Sequence, residues 1–405
     1  MTSATSINRV FPWARACPFA PPVQYARLRD GQPVARVELP SGEQVWVITR
    51  YEHFRKVLSD PRFSSEHSHP GFPAIFPVVR HRDEEGVAPK LTYSGMDPPE
   101  HTFHRRLVAT EFTAKRIAKL RPRIQQIVDE HVRAMLEGDR PVDLVKALAE
   151  PVTSQVISEL LGMPSATRAV FQELSRVVLS RSSNPELLGT SSVELKALIS
   201  KLLTDKEAHP GDDILGRLIC KYRNYECYDH EQMIQFAGAL VTAGHETTAN
   251  MISLGTVVLL EHPDQLAELT DDPMLLGQTV EELLRYLSVA DMVTARVALA
   301  DVEIGGVTIR AGEGLIALGA AANHDPRAFE RPEVFDIHRD ASHHLAFGYG
   351  VHKCLGQHLA QLELEVVFTT LFKRIPSLRL AIGVEELSIR EGGVIFGVQE
   401  VPVTW

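Results

Sequence analysis

The stretch that decides the fold runs from Phe347 to Gly356 and reads F-G-Y-G-V-H-K-C-L-G. Two glycines precede the cysteine, and glycine permits tight backbone turns close to a flat partner. Gly356 then opens a predicted helix, so Cys354 lies at a helix N-terminus, where amide donors and the helix dipole favour a thiolate. The alternative is a buried structural cysteine in a turn, since free cysteines are commonly buried.

A long helix is predicted upstream of this stretch. Asp229 and Gln232 resemble a capping box at its start, and Pro263 stops it after His262. It covers about 32 residues, or roughly 48 Å. Because residues 236–260 are apolar nearly all round, we expect a buried central helix.

Within that helix, residues 243–248 read A-G-H-E-T-T. A glycine inside a helix costs roughly 1 kcal/mol relative to alanine, so Gly244 indicates close approach of another group to this face. Thr247 lies four residues after Ala243, and its hydroxyl can bond that residue's carbonyl and open a pocket for dioxygen and water. The alternative is a helix–helix crossing of small residues with a solvent-facing Glu246.

These segments together resemble the cytochromes P-450. The decapeptide matches the family's haem-binding loop at every defining position of F-G-x-G-x-H-x-C-L-G, and residues 243–247 resemble its oxygen-activating signature. Between them, Glu282 and Arg285 can pair on one helical face and match the family's E-x-x-R motif, with Arg339 as its later arginine. The resemblance implies a mainly α fold with a smaller β region, a triangular prism whose long central helix lies over haem. It also implies a single domain over residues 1–405, with a small β subdomain near the N-terminus.

The resemblance also implies the roles of individual residues. Cys354 would be the thiolate ligand to the iron of haem b, which favours O–O cleavage. Thr247 and Glu246 would be catalytic through proton supply, and three residues would be structural: Glu282, Arg285 and Arg339. The remaining contacts to the cofactor would come from His101, Arg105, Ala243, Gly244, Arg296, Phe347, Gly348, His352 and Gly356.

Four of these residues would hold the two haem propionates, which need cationic partners if they are buried. His101 and Arg105 lie four apart on a predicted helix, and Arg296 and His352 follow later in the chain. The guanidinium fork of arginine matches a carboxylate. For any one of the four, the alternative is an ordinary surface charge.

The implied activity is hydroxylation or epoxidation that uses O2 and NAD(P)H. No flavin, iron–sulfur or dinucleotide motif is found, so electrons would come from a separate ferredoxin and its reductase. Lys353, Arg105 and Arg106 would form a basic patch for that ferredoxin, unless they are scattered surface charges. The competing hypotheses are a peroxide-driven or coupling haem-thiolate enzyme, and a haem-free helical protein that binds a ligand.

The substrate pocket is expected to be apolar. Its walls would include Val241, Val289, Met292, Val293 and Ile395. This favours a mid-sized, largely apolar small molecule such as a polyketide, terpenoid or steroid-like compound of secondary metabolism.

Composition excludes several other classes. The formal net charge of −10 argues against non-specific nucleic-acid binding, which needs a basic face. The four cysteines form no C-x-x-C pair and are too sparse for a disulfide scaffold. No signal peptide is evident, and no apolar run approaches the roughly 18 residues that span a bilayer. We therefore expect a cytoplasmic monomer without a membrane partner.

Overall fold

The structure, a computed structural model, describes residues 10–73, 93–179, 185–390 and 395–405. The α-helices in these ranges are α1 (Val23–Gly31), α2 (Tyr51–Ser59), α3 (Glu100–Ala109), α4 (Ala114–Ile117), α5 (Arg121–Glu137), α6 (Glu150–Leu160), α7 (Ser165–Leu179), α8 (Pro185–Ala208), α9 (Ile214–Asn224), α10 (His230–Leu260), α11 (Pro263–Asp271), α12 (Leu276–Leu287), α13 (Gly319–Asn323) and α14 (Gln357–Arg374). The strands are β1 (Val34–Glu38), β2 (Gln44–Ile48), β3 (Phe63–Ser64), β4 (Val142–Asp143), β5 (Ala295–Ala298), β6 (Val302–Ile304), β7 (Val307–Ile309), β8 (Gly314–Ala317), β9 (Arg379–Leu380) and β10 (Pro402–Thr404). The fold is mainly helical with a smaller β region, as the sequence predicts.

Helix α10 is the centre of the helical body and packs against α6, α8, α12 and α14. It begins where the sequence predicts, because the carboxylate of Asp229 accepts the backbone N–H of Gln232 at 2.8 Å. From residue 248 to 259 every side chain is buried. A helix that is apolar all round gains most when it is covered on every side, and this places α10 across the middle of the protein.

The largest sheet has the strand order β1-β2-β8-β5-β3. Strands β1 and β2 form an antiparallel hairpin, and β2 then pairs in parallel with β8, with Trp46 opposite Leu315. The sheet therefore joins N-terminal strands to strands from the middle of the chain, and β4 similarly pairs with β10 near the C-terminus. This connectivity supports the single-domain interpretation, which stays a prediction.

The polar composition of residues 181–192 predicts a mobile connection, but residues 185–192 belong to helix α8, and residues 181–184 lie outside the described residues. The helix starts at Pro185, a residue whose fixed φ suits the first helical position. Its buried side chains recur at helical spacing, at Ser191, Leu195, Ile199 and Leu202, while the polar residues between them face outward. The polar residues of this stretch therefore lie on the exposed face of helix α8.

Within the described ranges, no helix combines the length and the apolar character needed to cross a membrane.

Candidate active site

The loop before α14 turns sharply at two glycines. Gly348 and Gly350 have φ angles of 70° and 71°, in the left-handed region that favours glycine. A Cβ atom on Gly350 would lie 2.3 Å from the carbonyl oxygen of Leu58, at the end of α2. The second glycine therefore lets the loop approach the backbone of α2, which the sequence alone did not indicate.

Cys354 lies at the end of this loop, where its backbone N–H donates to the carbonyl of Phe347 at 2.8 Å. Burial raises the pKa of its thiol, and the amides of Gly356 and Gln357 oppose this only in part. The amides at the helix N-terminus therefore act in the expected direction and favour the thiolate, while desolvation of the thiol opposes them. The residue still has accessible surface, so a thiol set deep in the protein faces an open space.

The central helix has an accessible patch of its own. Thr242 and Ala243 are exposed in the middle of α10, and Thr247 is half-buried. The hydroxyl of Thr247 donates to the carbonyl of Ala243 at 2.6 Å, as predicted from their spacing. Thr242 was not among the predicted residues, because an all-apolar helix gives no signal for which side faces a cavity.

Glu246 and His245 are buried, which rules out a solvent-facing Glu246. The carboxylate of Glu246 lies 3.5 Å from the guanidinium of Arg390. Burial, followed by the positive charge of Arg390, lowers the pKa of His245 to about 4, so this imidazole is neutral near pH 7. Sequence analysis did not identify Arg390 as part of the site.

Gly244 packs against another helix. A Cβ atom at this position would lie 2.6 Å from Cδ1 of Ile157 in α6. The structure therefore supports the helix-crossing alternative for this glycine, and its small size allows α6 to approach α10.

The three predicted structural residues come together in the core. Arg285 donates to both carboxylate oxygens of Glu282, and Arg339 donates to Oε1 of Glu282 at 3.1 Å. Arg285 also donates to the carbonyls of Asn323 and Pro332. The group therefore ties α12 to the segments that lead into the cysteine loop.

The four predicted propionate contacts converge at the junction of α3, β5 and the cysteine loop. The imidazole rings of His101 and His352 lie 4.1 Å apart, and Arg296 is buried. The guanidinium of Arg105 donates to the carbonyl of Lys353 at 2.5 Å, next to Cys354 in the chain.

Arg296 carries a buried positive charge in this cluster, and the two imidazoles beside it are neutral near pH 7. Burial and then the charge of Arg296 lower the pKa of His352 to about 3. Burial lowers the pKa of Arg296 to about 10, with only Asp97 acting to raise it. A buried guanidinium such as that of Arg296 needs an anionic partner to be stable. Two carboxylates beside an accessible cysteine match this need, so these residues fit the propionates and iron of haem.

Two residues that sequence analysis missed support the cluster. The hydroxyl of Ser65 lies 3.0 Å from Nε2 of His352 and donates to Asp97 at 3.0 Å. Asp97 precedes His101 by four residues and could have been found by that spacing. Ser65 lies in a distant strand end and carried no signal.

The predicted pocket residues differ in how far the structure buries them. Val241 is 2 % exposed and packs in the helical core, and its place in the pocket wall stays a prediction. Val293 is 52 % exposed and Met292 is half-buried, three and four residues before Arg296. Val289 and Ile395 are buried, and the backbone of Val289 accepts the N–H of Phe396 at 2.8 Å. Residues 391–394, which precede Ile395, lie outside the described residues.

Comparisons with known proteins agree with this geometry. The family model described as "Cytochrome P450" matches residues 205–378. The chain is 44 % identical to a vitamin D3 dihydroxylase of Streptomyces griseolus over 100 % of its length and 98 % of that protein. It is also 44 % identical to pentalenic acid synthase of Streptomyces avermitilis, over 100 % of the chain and 99 % of that protein. Its backbone matches the crystal structure of cytochrome P450 MoxA from Nonomuraea recticatena with a TM-score of 0.92, at 49 % identity, covering 98 % of this chain and 99 % of the other.

Proposed function

This chain belongs to the cytochrome P450 family and is a monooxygenase, and we propose that it hydroxylates or epoxidises a mid-sized, largely apolar natural product. Two relatives at 44 % identity are named for reactions on vitamin D3 and for the synthesis of pentalenic acid. The observation that carries the proposal is that Cys354 lies deep in the protein and still has accessible surface.

The family implies haem with a cysteine thiolate ligand, and we infer haem b held by Cys354. Arg296, His101 and His352 would bind its propionates, since the buried guanidinium of Arg296 carries a positive charge and the two neutral imidazoles beside it can donate hydrogen bonds. When bound, haem supplies the reduction of dioxygen and the oxidation of substrate, with the thiolate as the electron-donating ligand.

The protein's own contribution is proton supply and positioning. Thr247 keeps its hydroxyl on the carbonyl of Ala243 and so places an O–H at the accessible face of α10. Glu246, one residue earlier, is buried beside Arg390 and would pass protons toward this hydroxyl. The exposed surface of Thr242 and Ala243 leaves room for dioxygen next to it.

Electrons would come from a ferredoxin and its reductase. Lys353 and Arg106 are exposed and would contact an acidic ferredoxin, whereas Arg105 is turned toward the cysteine loop. Scattered surface charge remains the alternative for this basic patch.

A spectrum of the reduced, carbon-monoxide-bound protein tests the central assignment. A thiolate ligand gives a red-shifted Soret band, which should be present in the native protein and absent in Cys354→Ala. Protein that binds no haem would support the ligand-binding hypothesis. Difference spectra with vitamin D3 and with pentalenic acid then test whether the chain binds the kinds of molecule for which these relatives are named. Product formed with peroxide alone, but not with ferredoxin, reductase and NAD(P)H, would favour the peroxide-driven alternative.

A further inference from the structure

A small cavity lies next to Glu246. It is lined by Glu246 and His245 of α10, Glu150 at the start of α6, and Arg390 near the C-terminus. Its volume of about 20 Å³ is enough for a single water molecule.

Arg390 lies between two carboxylates at this cavity. Its Nη1 is 3.5 Å from Oε1 of Glu246, and its Nη2 is 3.8 Å from Oε1 of Glu150. These distances exceed those of direct hydrogen bonds, and polar groups so spaced are commonly bridged by water.

Solvent exposure increases from the inner carboxylate outward. The side chain of Glu246 is 8 % exposed, and those of Arg390 and Glu150 are 22 % and 24 % exposed. Arg176, which also lines the cavity, is 53 % exposed. The cavity therefore lies on a route from the surface to Glu246.

Asn250 supplies a second, independent indication of a bound molecule. It lines the cavity, is 3 % exposed, and its Nδ2 has no hydrogen-bond partner among the described residues. Gly397 packs directly on this amide, since a Cβ atom there would lie 2.1 Å from Oδ1 of Asn250. A buried donor left unsatisfied costs about 1–3 kcal/mol, and a water in the cavity would remove that cost.

We propose that Glu150 takes up protons from solvent and passes them, through a water held by Asn250, to Glu246. A proton from bulk water binds the Glu150 carboxylate, moves to the cavity water, and that water gives a proton to the Glu246 carboxylate, with no change of oxidation state. Arg390 keeps its protons and is a positioning residue, because its positive charge attracts both carboxylates toward the cavity.

The surrounding charges are compatible with this route. Burial raises the pKa of Glu150, while Arg390, Arg176 and Lys146 oppose the rise and Asp143 adds to it. A raised pKa makes a carboxyl a better proton carrier near neutral pH. His245 is neutral there and does not compete as a charge.

The inference rests on the proposed function, and the holoenzyme tests both. With dioxygen, NAD(P)H, a plant-type ferredoxin and its reductase, we expect oxygen consumption by Glu150→Gln and Arg390→Gln to fall about tenfold. The solvent isotope effect, measured in H2O and D2O, should increase in both variants. Arg390→Lys should restore most of the rate, and Arg374→Gln, which removes an arginine from an exposed ion pair with Asp129, should match the native protein.

A crystal structure of the holoenzyme gives a second readout that does not depend on turnover. We expect an ordered water bonded to Asn250 Nδ2 and to a Glu246 oxygen, and its loss in Asn250→Leu. A dry cavity, or unchanged rates and isotope effects in Glu150→Gln and Arg390→Gln, would overturn the inference. Failure of the proposed function looks different, because the native protein itself would then lack the thiolate spectrum and consume no oxygen.

Discussion

Arg285 donates two hydrogen bonds to Glu282, at 2.7 and 2.8 Å, and neither side chain exposes any surface to solvent. Removing one partner leaves the other charge buried, which costs about 3–5 kcal/mol. We expect Glu282→Gln to lower the free energy of unfolding by this amount in urea titrations. Arg374→Gln removes an exposed pair and should cost at most about 1 kcal/mol. Equal stabilities of the two variants would contradict the structural role.

Replacing Arg296 with leucine should raise the stability of the haem-free protein and should also weaken its hold on haem. Its charge is buried near His101 and His352, so Arg296→Leu should stabilise the haem-free protein. The same change removes a charged hydrogen bond worth about 1.5–3 kcal/mol to a propionate, so haem release should accelerate roughly 10- to 100-fold. Transfer of haem to an excess of a haem-scavenging protein measures this, with the exposed Arg106→Leu as control. A slower release from Arg296→Leu would remove this residue from the haem site.

Acid should destabilise the protein through buried neutral histidines. Burial, and next the charge of Arg285, lower the pKa of His324 to about 3, against an ordinary value of 6.5. Between these values the unfolded chain binds the proton that the folded protein does not, so stability falls as pH falls from about 6.5 toward 3. His324→Gln should reduce the slope of stability against pH by up to about 1.4 kcal/mol per pH unit.

Thr247→Ala should leave haem bound and divert electrons from product to peroxide. We expect product formed per NAD(P)H to fall at least about tenfold, because the hydroxyl at the accessible face of α10 is lost. Thr256 makes the same bond to the residue four before it, at 2.8 Å to Ile252, but is fully buried. Thr256→Ala is therefore the matched control and should stay coupled. Tight coupling in Thr247→Ala would refute the assigned role.

Gly244→Ala should destabilise the protein through a clash with Ile157. Overpacking costs about 1–3 kcal/mol, partly offset by the roughly 1 kcal/mol that alanine gains in a helix. Ile157→Val removes the clashing methyl, so Gly244→Ala should become neutral or stabilising in that background. Urea unfolding of the four proteins in this cycle measures the effect. A double variant that folds well but loses haem would instead indicate that the glycine makes room for the cofactor.

Sequence analysis worked best where the contact is local. The hydrogen bond of Thr247 to Ala243 and the pairing of Glu282 with Arg285 both follow from helical spacing. It failed where tertiary structure decides. Because α10 is apolar on every side, its sequence does not indicate which side faces a cavity, and Val241, predicted in the pocket wall, packs in the helical core. Arg390 and Ser65 reach the site from distant segments, and no spacing in the chain links them to it.

The thiol of Cys354 illustrates a second limit of prediction from the sequence. The motif correctly places the residue before a helix N-terminus, where local dipoles lower a thiol pKa. The net shift is upward, because desolvation depends on everything packed around the loop. The position of a group could be predicted from the sequence, whereas its electrostatic environment could not.

The parallel pairing of β2 with β8 has a consequence for synthesis on the ribosome. Trp46 pairs opposite Leu315, so at ~5–20 residues per second the first hairpin leaves the exit tunnel on the order of tens of seconds before its partner strand exists. During that interval the inner edge of the nascent hairpin can pair with other chains. We therefore expect the yield of active protein in a heterologous host to depend on translation speed and chaperone supply more than on the stability of the finished enzyme.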